Sequence, residues 1–124
     1  MTEKITSFTQ LRTWQHARKL AVATNKLSEK FPSDEKFGLI SQIRRSSVSV
    51  AANIAEGFSR NGAKDKIQFY SIALGSATET LSHTYIAFDL GFIQKTDIQY
   101  MEEQIMDVHK MINGLIKTAK ARAA

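Results

Sequence analysis

The feature of this sequence that most restricts its fold is the scarcity of residues that interrupt helices. Among 124 residues there are one proline and six glycines, and the breaks that they mark fall at residues 31–33, 57–62 and 91–95. Between the breaks, apolar residues recur at the three- and four-residue spacing of an amphipathic helix. We therefore predict helices over residues 9–30, 34–57, 63–90 and 96–119, followed by a basic C-terminal tail.

Several residues at the ends of these segments carry capping signals. Ser33 is predicted as the N-cap of the second helix and Gly57 as its left-handed C-terminal cap. Gly91 is predicted to end the third helix in the same way. Thr96 and Gln99 have the spacing of a capping box and predict the start of the fourth helix.

Four helices of similar length joined by short loops are expected to alternate in direction. The sequence therefore predicts one domain over residues 1–124, an all-α antiparallel up-down-up-down four-helix bundle. The chain is long enough to bury a core without cross-links, and it has no cysteine, which fits a reducing compartment. Because it shows neither a signal-peptide pattern nor a long apolar run, we expect a cytoplasmic protein with no membrane partner.

The second predicted helix contains a stretch without charge. Residues 46–55 read SSVSVAANIA, whereas the solvent face of a helix in a small bundle normally carries charged side chains. Either the neighbouring helices or another subunit must cover this stretch. Self-association is the simpler account, because a small bundle cannot enclose one helix completely.

Polar residues of this helix recur in steps of three and four, which places them on one stripe. An antiparallel hairpin with the third helix is expected to put Ser49 near Gly75 and the Arg44–Arg45 pair near Glu79. A ligand-binding or catalytic cluster is the alternative, but the Ser, Asn and Gln side chains of this stripe lack a titrating base nearby. We predict a polar seam that fixes helix register and oligomer contacts, formed by Gln42, Arg44, Arg45, Ser46, Ser49, Asn53, Glu56, Gly75 and Glu79.

The block RRSSVSVAANIAEG at residues 44–57 carries a family resemblance, together with Trp14, Phe31–Pro32 and the ALGS run at residues 73–76. With these motifs the chain resembles the bacterial four-helix-bundle proteins encoded in intervening sequences of 23S ribosomal RNA genes. That family is similar in fold to the accessory proteins of diversity-generating retroelements, which form pentameric barrels and bind nucleic acid and a reverse transcriptase. The resemblance implies a homopentamer and no enzymatic activity.

The net charge of +5 arises from 17 basic and 12 acidic residues. In an up-down bundle the excess gathers at one end, and such basic clusters bind phosphate backbones of RNA or DNA. The alternative is a solvated tail that keeps the protein soluble. Lys4 also lies at this end, and the acidic residues there are Glu3, Glu56 and Asp65. The candidate nucleic-acid-binding residues are Arg12, Arg60, Lys64, Lys66, Lys117, Lys120 and Arg122.

The sequence gives little support to an enzyme. His16, His83 and His109 do not have the spacing of a metal site in a helical bundle. No phosphate-binding loop, nucleophile elbow or dinucleotide fingerprint occurs. We therefore predict no catalytic, cofactor or metal residues and no small-molecule substrate. The leading hypothesis is a homo-oligomer that binds nucleic acid or a nucleoprotein partner, and the alternative is a protein-interaction scaffold without a nucleic-acid role.

Overall fold

The structure, a computed structural model, describes residues 4–123. Its helices are α1 (Arg12–Ser28), α2 (Leu39–Ser59), α3 (Ala63–Asp89) and α4 (Lys95–Ala123), with short 3-10 turns at Phe8–Gln10 and Ser33–Glu35. No strand occurs within residues 4–123, so the predicted all-α four-helix bundle is confirmed. None of the helices in this part of the chain combines the length and apolarity that a membrane crossing needs.

Helix α3 packs against both α2 and α4 through small side chains. Ala73, Ala77 and Ala87 are fully buried, as are the hydroxyl-bearing Thr80 and Thr84. Each threonine hydroxyl donates to the carbonyl four residues earlier, so its burial leaves no unpaired donor. Larger buried side chains of α2 and α4 fill the space opposite, among them Ile43, Ile54, Ile105 and Ile112.

Helix α2 begins at Leu39, five residues after the predicted start, so the prediction that Ser33 caps it is wrong. Ser33–Glu35 form a separate 3-10 turn. Gly38 interrupts the helical backbone, with φ of −108° and ψ of −111°. The Glu35 carboxylate accepts a hydrogen bond of 3.2 Å from the Leu39 backbone N–H, and thereby satisfies one of the free donors at the start of the helix.

Gly57 is not the predicted C-terminal cap, because α2 continues to Ser59. It is buried against the ring of Tyr70 on α3. A Cβ atom on Gly57 would lie 2.6 Å from Tyr70 Cε1 and 2.8 Å from Cδ1. Glycine is therefore required here by the close approach of two helices.

The predicted role of Gly91 is confirmed. Its φ is +80°, the left-handed conformation that glycine adopts without a steric penalty. The Phe92 N–H donates to Ala87 O and the Gly91 N–H donates to Phe88 O, both at 2.9 Å. This pair of bonds is a Schellman motif, which satisfies the last carbonyls of α3.

The start of α4 is capped by Asp97, so the predicted capping box of Thr96 and Gln99 is wrong. The Gln94 N–H donates to the Asp97 carboxylate at 2.9 Å. Lys30, just beyond the end of α1, donates to the same carboxylate at 2.8 Å. Partial burial alone raises the pKa of Asp97, but these two hydrogen bonds outweigh it and the net pKa lies below the ordinary value.

Candidate nucleic-acid interface at one end of the bundle

A cavity of about 560 Å³ lies at one end of the bundle, where four parts of the chain meet. The N-terminal segment, the end of α2 with its following loop, the start of α3 and the end of α4 all contribute to it. Its apolar walls include Ile5, Leu11, Phe58, Tyr70, Leu115 and Ala119, and its cationic residues are Lys4, Lys66 and Arg122. We refer to this space as the basic-end cavity.

The cavity arises because the buried faces of α3 and α4 end in small residues. On α4, Ile112 and Ile116 are buried and the same stripe continues to Ala119. On α3, the first residue that faces the cavity is Ala63. Neither alanine is large enough to fill the space where the helix ends meet, so the apolar interior opens toward the charged rim.

Lys66 holds the end of α2. Its Nζ donates to Phe58 O at 2.8 Å and to Gly57 O at 3.3 Å, two carbonyls of the last turn of α2. Gly57 O also accepts the Arg60 N–H at 3.2 Å. Burial, and then the nearby charge of Arg122, lower the pKa of Lys66. Lys66 therefore contributes positive charge to the cavity, although two of its three N–H donors are already bonded to carbonyls of α2.

Arg60 is also engaged. Its guanidinium lies 3.1 Å from the Glu56 carboxylate, one turn earlier on α2, and its Cζ lies 4.7 Å from the ring centroid of Phe69. The ion pair with Glu56 offsets part of the charge that Arg60 would offer to a phosphate.

The other predicted cations, Arg12, Lys64, Lys117, Lys120 and Arg122, are exposed at the same end of the bundle. Arg122 lines the cavity, whereas the remaining four lie outside its lining. Of the acidic residues predicted there, Asp65 is exposed, Glu56 pairs with Arg60, and Glu3 lies outside the described residues. Of the predicted cations, Lys66 and Arg122 thus line the same cavity, and Lys4 lines it as well.

Tyr70 is a residue of this site that is not among the predicted site residues. It is 4% exposed and lines the basic-end cavity. Burial raises its pKa, and the charge of Arg122 partly offsets this. Within residues 4–123 the buried side-chain polar atom without a hydrogen-bond partner is His83 Nδ1, not the Tyr70 hydroxyl. The sequence offered one signal for this role. Tyr70 lies on an apolar stripe of the third helix, and no polar residue is in register with its hydroxyl.

The polar seam of α2 faces α3. Ser46 Oγ lies 2.8 Å from Thr80 Oγ1, and Ser49 Oγ lies 2.9 Å from Ser76 Oγ. Asn53 Nδ2 donates to the Ser49 backbone oxygen at 2.9 Å and to its hydroxyl at 3.0 Å. Hydroxyl pairs of this kind favour one register, because a slip by one residue would leave the hydroxyls unpaired.

The predicted contact between the Arg44–Arg45 pair and Glu79 is wrong. Arg44 Nε instead donates to Ser28 Oγ on α1 at 2.6 Å, and Arg45 is exposed. Arg44 precedes Ser46 by two residues, which is about 200° around a helix, so the two side chains face different neighbours. Glu79 lies 3.2 Å from His83 Nε2 on its own helix.

The expected approach of Ser49 to Gly75 is also wrong by one residue. Ser49 contacts Ser76 instead. Gly75 is exposed, and a Cβ on it would meet nothing within 4 Å. Gln42 and Glu56, the two ends of the predicted stripe, are exposed as well. The close approach of α2 and α3 therefore depends on Gly57, which the sequence interpretation treated as a cap.

No set of three or more His, Asp or Glu side chains within residues 4–123 is close enough together to hold a metal ion. The basic end therefore combines clustered positive charge with a largely apolar cavity.

Comparison with known proteins places this fold in a family. A solved protein of unknown function from the S23 ribosomal protein family of Bacteroides thetaiotaomicron VPI-5482 has a TM-score of 0.78 and 24% identity, covering 85% of this chain and 98% of that chain. No curated protein sequence matches the chain. The family model of the 23S rRNA-intervening sequence protein matches residues 9–114. The chain therefore belongs to the 23S rRNA-intervening sequence protein family.

Proposed function

We propose that the chain is a non-enzymatic, homo-oligomeric helical bundle that binds the backbone of RNA or DNA, alone or in a nucleoprotein, through its basic end. The observation that carries this proposal is the meeting of Lys4, Lys66 and Arg122 at one cavity. Four further cations, Arg12, Lys64, Lys117 and Lys120, lie exposed on the adjoining elements.

Clustered cations of this kind suit a phosphate backbone. Each phosphate contact releases condensed counterions, so the affinity falls steeply as salt rises and depends little on sequence. Arg122 lies close enough to Lys66 to lower its pKa. A bound phosphate would relieve this repulsion between like charges.

A binding titration tests the proposal. Fluorescence anisotropy with a structured RNA and with a DNA of equal length would be measured at two salt concentrations. We expect the triple variant Lys64→Glu, Lys117→Glu and Lys120→Glu to lose binding at low salt. Lys66 is kept, because its reversal would disturb the end of α2.

A second triple variant controls for net charge. Lys26→Glu, Lys36→Glu and Lys95→Glu reverse exposed lysines away from the basic end. Both triple variants change the charge by −6, from +5 to −1, so long-range effects of net charge are matched. Equal loss of affinity in both triple variants, or absence of binding at low salt, refutes the role of the basic end.

We propose further that the helices run up, down, up and down and that copies of the chain assemble, as a pentamer, through α2 and α3. The alternating direction is supported by contacts such as Ser46 with Thr80 and Ser49 with Ser76, in which residue numbers rise on one helix and fall on the other. Assembly is supported by the exposure of Val48 (54%), which lies in the uncharged stretch of α2.

The face beside Val48 has the same character. Ala52 and Gly75 are exposed there without charge, and Ile72 on α3 is 44% exposed. Exposed apolar side chains beside an uncharged stretch favour contact with another copy of the chain. Light scattering at micromolar concentration tests this proposal. A monomer would contradict it, and an oligomer other than a pentamer would contradict the stoichiometry.

A protein-interaction scaffold without a nucleic-acid role is the second candidate. It is favoured by the engagement of Arg60 with Glu56 and of Lys66 with the carbonyls of α2, which leaves fewer free cations than the sequence suggests. The salt-dependent titration separates the two candidates, because a scaffold would not distinguish the two triple variants.

A further inference from the structure

We propose that the basic-end cavity binds the base of an unstacked nucleotide, with the phosphate held at Lys4 and Arg122. This inference rests on the proposed function, because it uses the same end of the bundle. It adds a ligand class, the nucleoside phosphate, which reaches the cavity either as part of a single strand or as a free nucleotide.

The dimensions of the cavity suit such a ligand. Its volume of about 560 Å³ lies within the range of roughly 300 to 1,000 Å³ typical of small-molecule sites. The space is bounded on several sides by different parts of the chain, from the N-terminal segment to the end of α4. A planar ring can therefore be enclosed rather than laid on a flat surface.

The walls offer aromatic and apolar surface. Tyr70 and Phe58 both line the cavity, with Leu115 and Ala119 from α4. Bases bind such surfaces by stacking against aromatic rings, with little sequence selectivity. In a duplex the bases remain stacked on one another, so only an unpaired or extruded base can reach these walls.

Polar groups in the lining of the cavity point to a ligand with polar edges. Tyr70, which is 4% exposed, lines the cavity and carries a hydroxyl. Asn61 and Thr118 place further polar groups in the lining. A base carries donors and acceptors that can pair with these groups, whereas an alkyl chain would leave them unsatisfied at a free-energy cost.

The cations set the polarity of the ligand. Arg122 is exposed and lies in the lining, as does the exposed Lys4. Lys66 adds charge, and two of its three N–H donors are bonded to Gly57 O and Phe58 O. The arrangement of an apolar interior and a cationic rim matches a base with a phosphate attached.

The test compares four ligands on the full chain by anisotropy, directly or by competition. They are a labelled single strand, its duplex, the same strand with abasic sites, and a free nucleoside monophosphate as competitor. Ala119→Phe fills the cavity, and Ala121→Phe, at an exposed position outside the lining, is the matched control. Tyr70→Phe removes only the hydroxyl and keeps the ring against Gly57, so it tests the site even if Ala119→Phe fails to fold.

We expect the intact single strand to bind more tightly than the duplex or the abasic strand. Ala119→Phe should weaken single-strand binding about fivefold or more, as loss of one stacked base does, whereas Ala121→Phe should have no effect. Tyr70→Phe should weaken it by about twofold to tenfold, the equivalent of one hydrogen bond.

The outcomes separate this inference from the proposed function. Equal binding of the intact and abasic strands, with no effect of Ala119→Phe or Tyr70→Phe, overturns the base site while the basic end still binds phosphate. If the free nucleotide binds, and Ala119→Phe abolishes its binding, but no strand binds at low salt, the cavity site stands and the nucleic-acid role fails. Absence of binding by all four ligands overturns both.

Discussion

Substitution of Gly57 by alanine tests how α2 and α3 approach each other. The added Cβ would lie 2.6 Å from Tyr70 Cε1, 2.8 Å from Tyr70 Cδ1 and 3.3 Å from the Lys66 backbone oxygen. Ordinary carbon contacts are about 3.5–4.0 Å, so the ring or the helix must move by roughly 1 Å. Tyr70 is 4% exposed, so its ring has little room to move.

The expected change in stability is the difference between two effects. Overpacking of a buried contact costs about 1–3 kcal/mol, and the severity of this contact favours the upper value. Replacing glycine by alanine in a helix gains up to about 1 kcal/mol. We therefore expect Gly57→Ala to lower the free energy of unfolding by about 2 kcal/mol, which corresponds to a fall in Tm of roughly 8 °C for a chain of this length.

The measurement is thermal and urea unfolding followed by circular dichroism, at equal protein concentration because association changes apparent stability. Gly114→Ala is the matched control, since Gly114 lies inside α4 and a Cβ there would meet nothing within 4 Å. That variant should be more stable by about 0.5–1 kcal/mol. Combining Gly57→Ala with Tyr70→Leu should cost less than the sum of the two single changes, because the smaller side chain relieves the clash.

A Gly57→Ala variant as stable as the parent would refute the reasoning. So would additive effects of Gly57→Ala and Tyr70→Leu, because they would show that the two residues do not meet. A loss of stability in Gly114→Ala equal to that in Gly57→Ala would show that the cost comes from the helix backbone and not from the contact between helices.

Three further predictions concern the seam and the ends of the bundle. Ser49→Lys should reduce the mass measured by light scattering, because it places a charge beside the uncharged face of α2. Ser41→Lys, at an exposed position of α2, should leave the mass unchanged. Unchanged assembly in both variants would contradict burial of that face. Thr80→Val should lower the free energy of unfolding in urea by about 1 kcal/mol. Adding Ser46→Ala to that variant should lower it by less than Ser46→Ala does alone. Strict additivity would argue against the Ser46–Thr80 hydrogen bond. Asp97→Asn should lower the free energy of unfolding at neutral pH by under about 1 kcal/mol, since the ion pair between Lys30 and Asp97 is partly exposed. The difference from the parent should vanish as the pH falls below 3.8 through the depressed pKa of Asp97. A difference that persists in acid would contradict this account.

The helical segments were predictable because their signal is local. Periodic apolar residues separated by few breaks predict four helices, and the structure confirms four. The ends were less predictable, since several residues nearby can cap a helix equally well. Glu35 caps α2 from outside its first turn, and Asp97 takes the place predicted for Thr96.

The seam was predictable as a face but not as a set of contacts. Steps of three and four residues place Ser46, Ser49 and Asn53 together on α2, and these side chains do form hydrogen bonds. The register of the predicted hairpin placed Arg44 near Glu79, yet Arg44 contacts Ser28 on α1. A helix turns by about 100° per residue, so a shift of two positions changes which neighbour is met.

The sequence by itself determined four helices, an uncharged stretch on α2 and an excess of positive charge in the segments that lie at one end, because periodicity and composition are properties of the chain. Tertiary structure decided that Gly57 is a packing residue, that Lys66 binds the carbonyls of α2, and that Tyr70 lines a cavity. These roles depend on distances between helices, which arise only when the small side chains of α3 and the end of α4 are packed together. The physical reason is that local patterns specify which face is buried, whereas the space left between buried faces depends on all the helices at once.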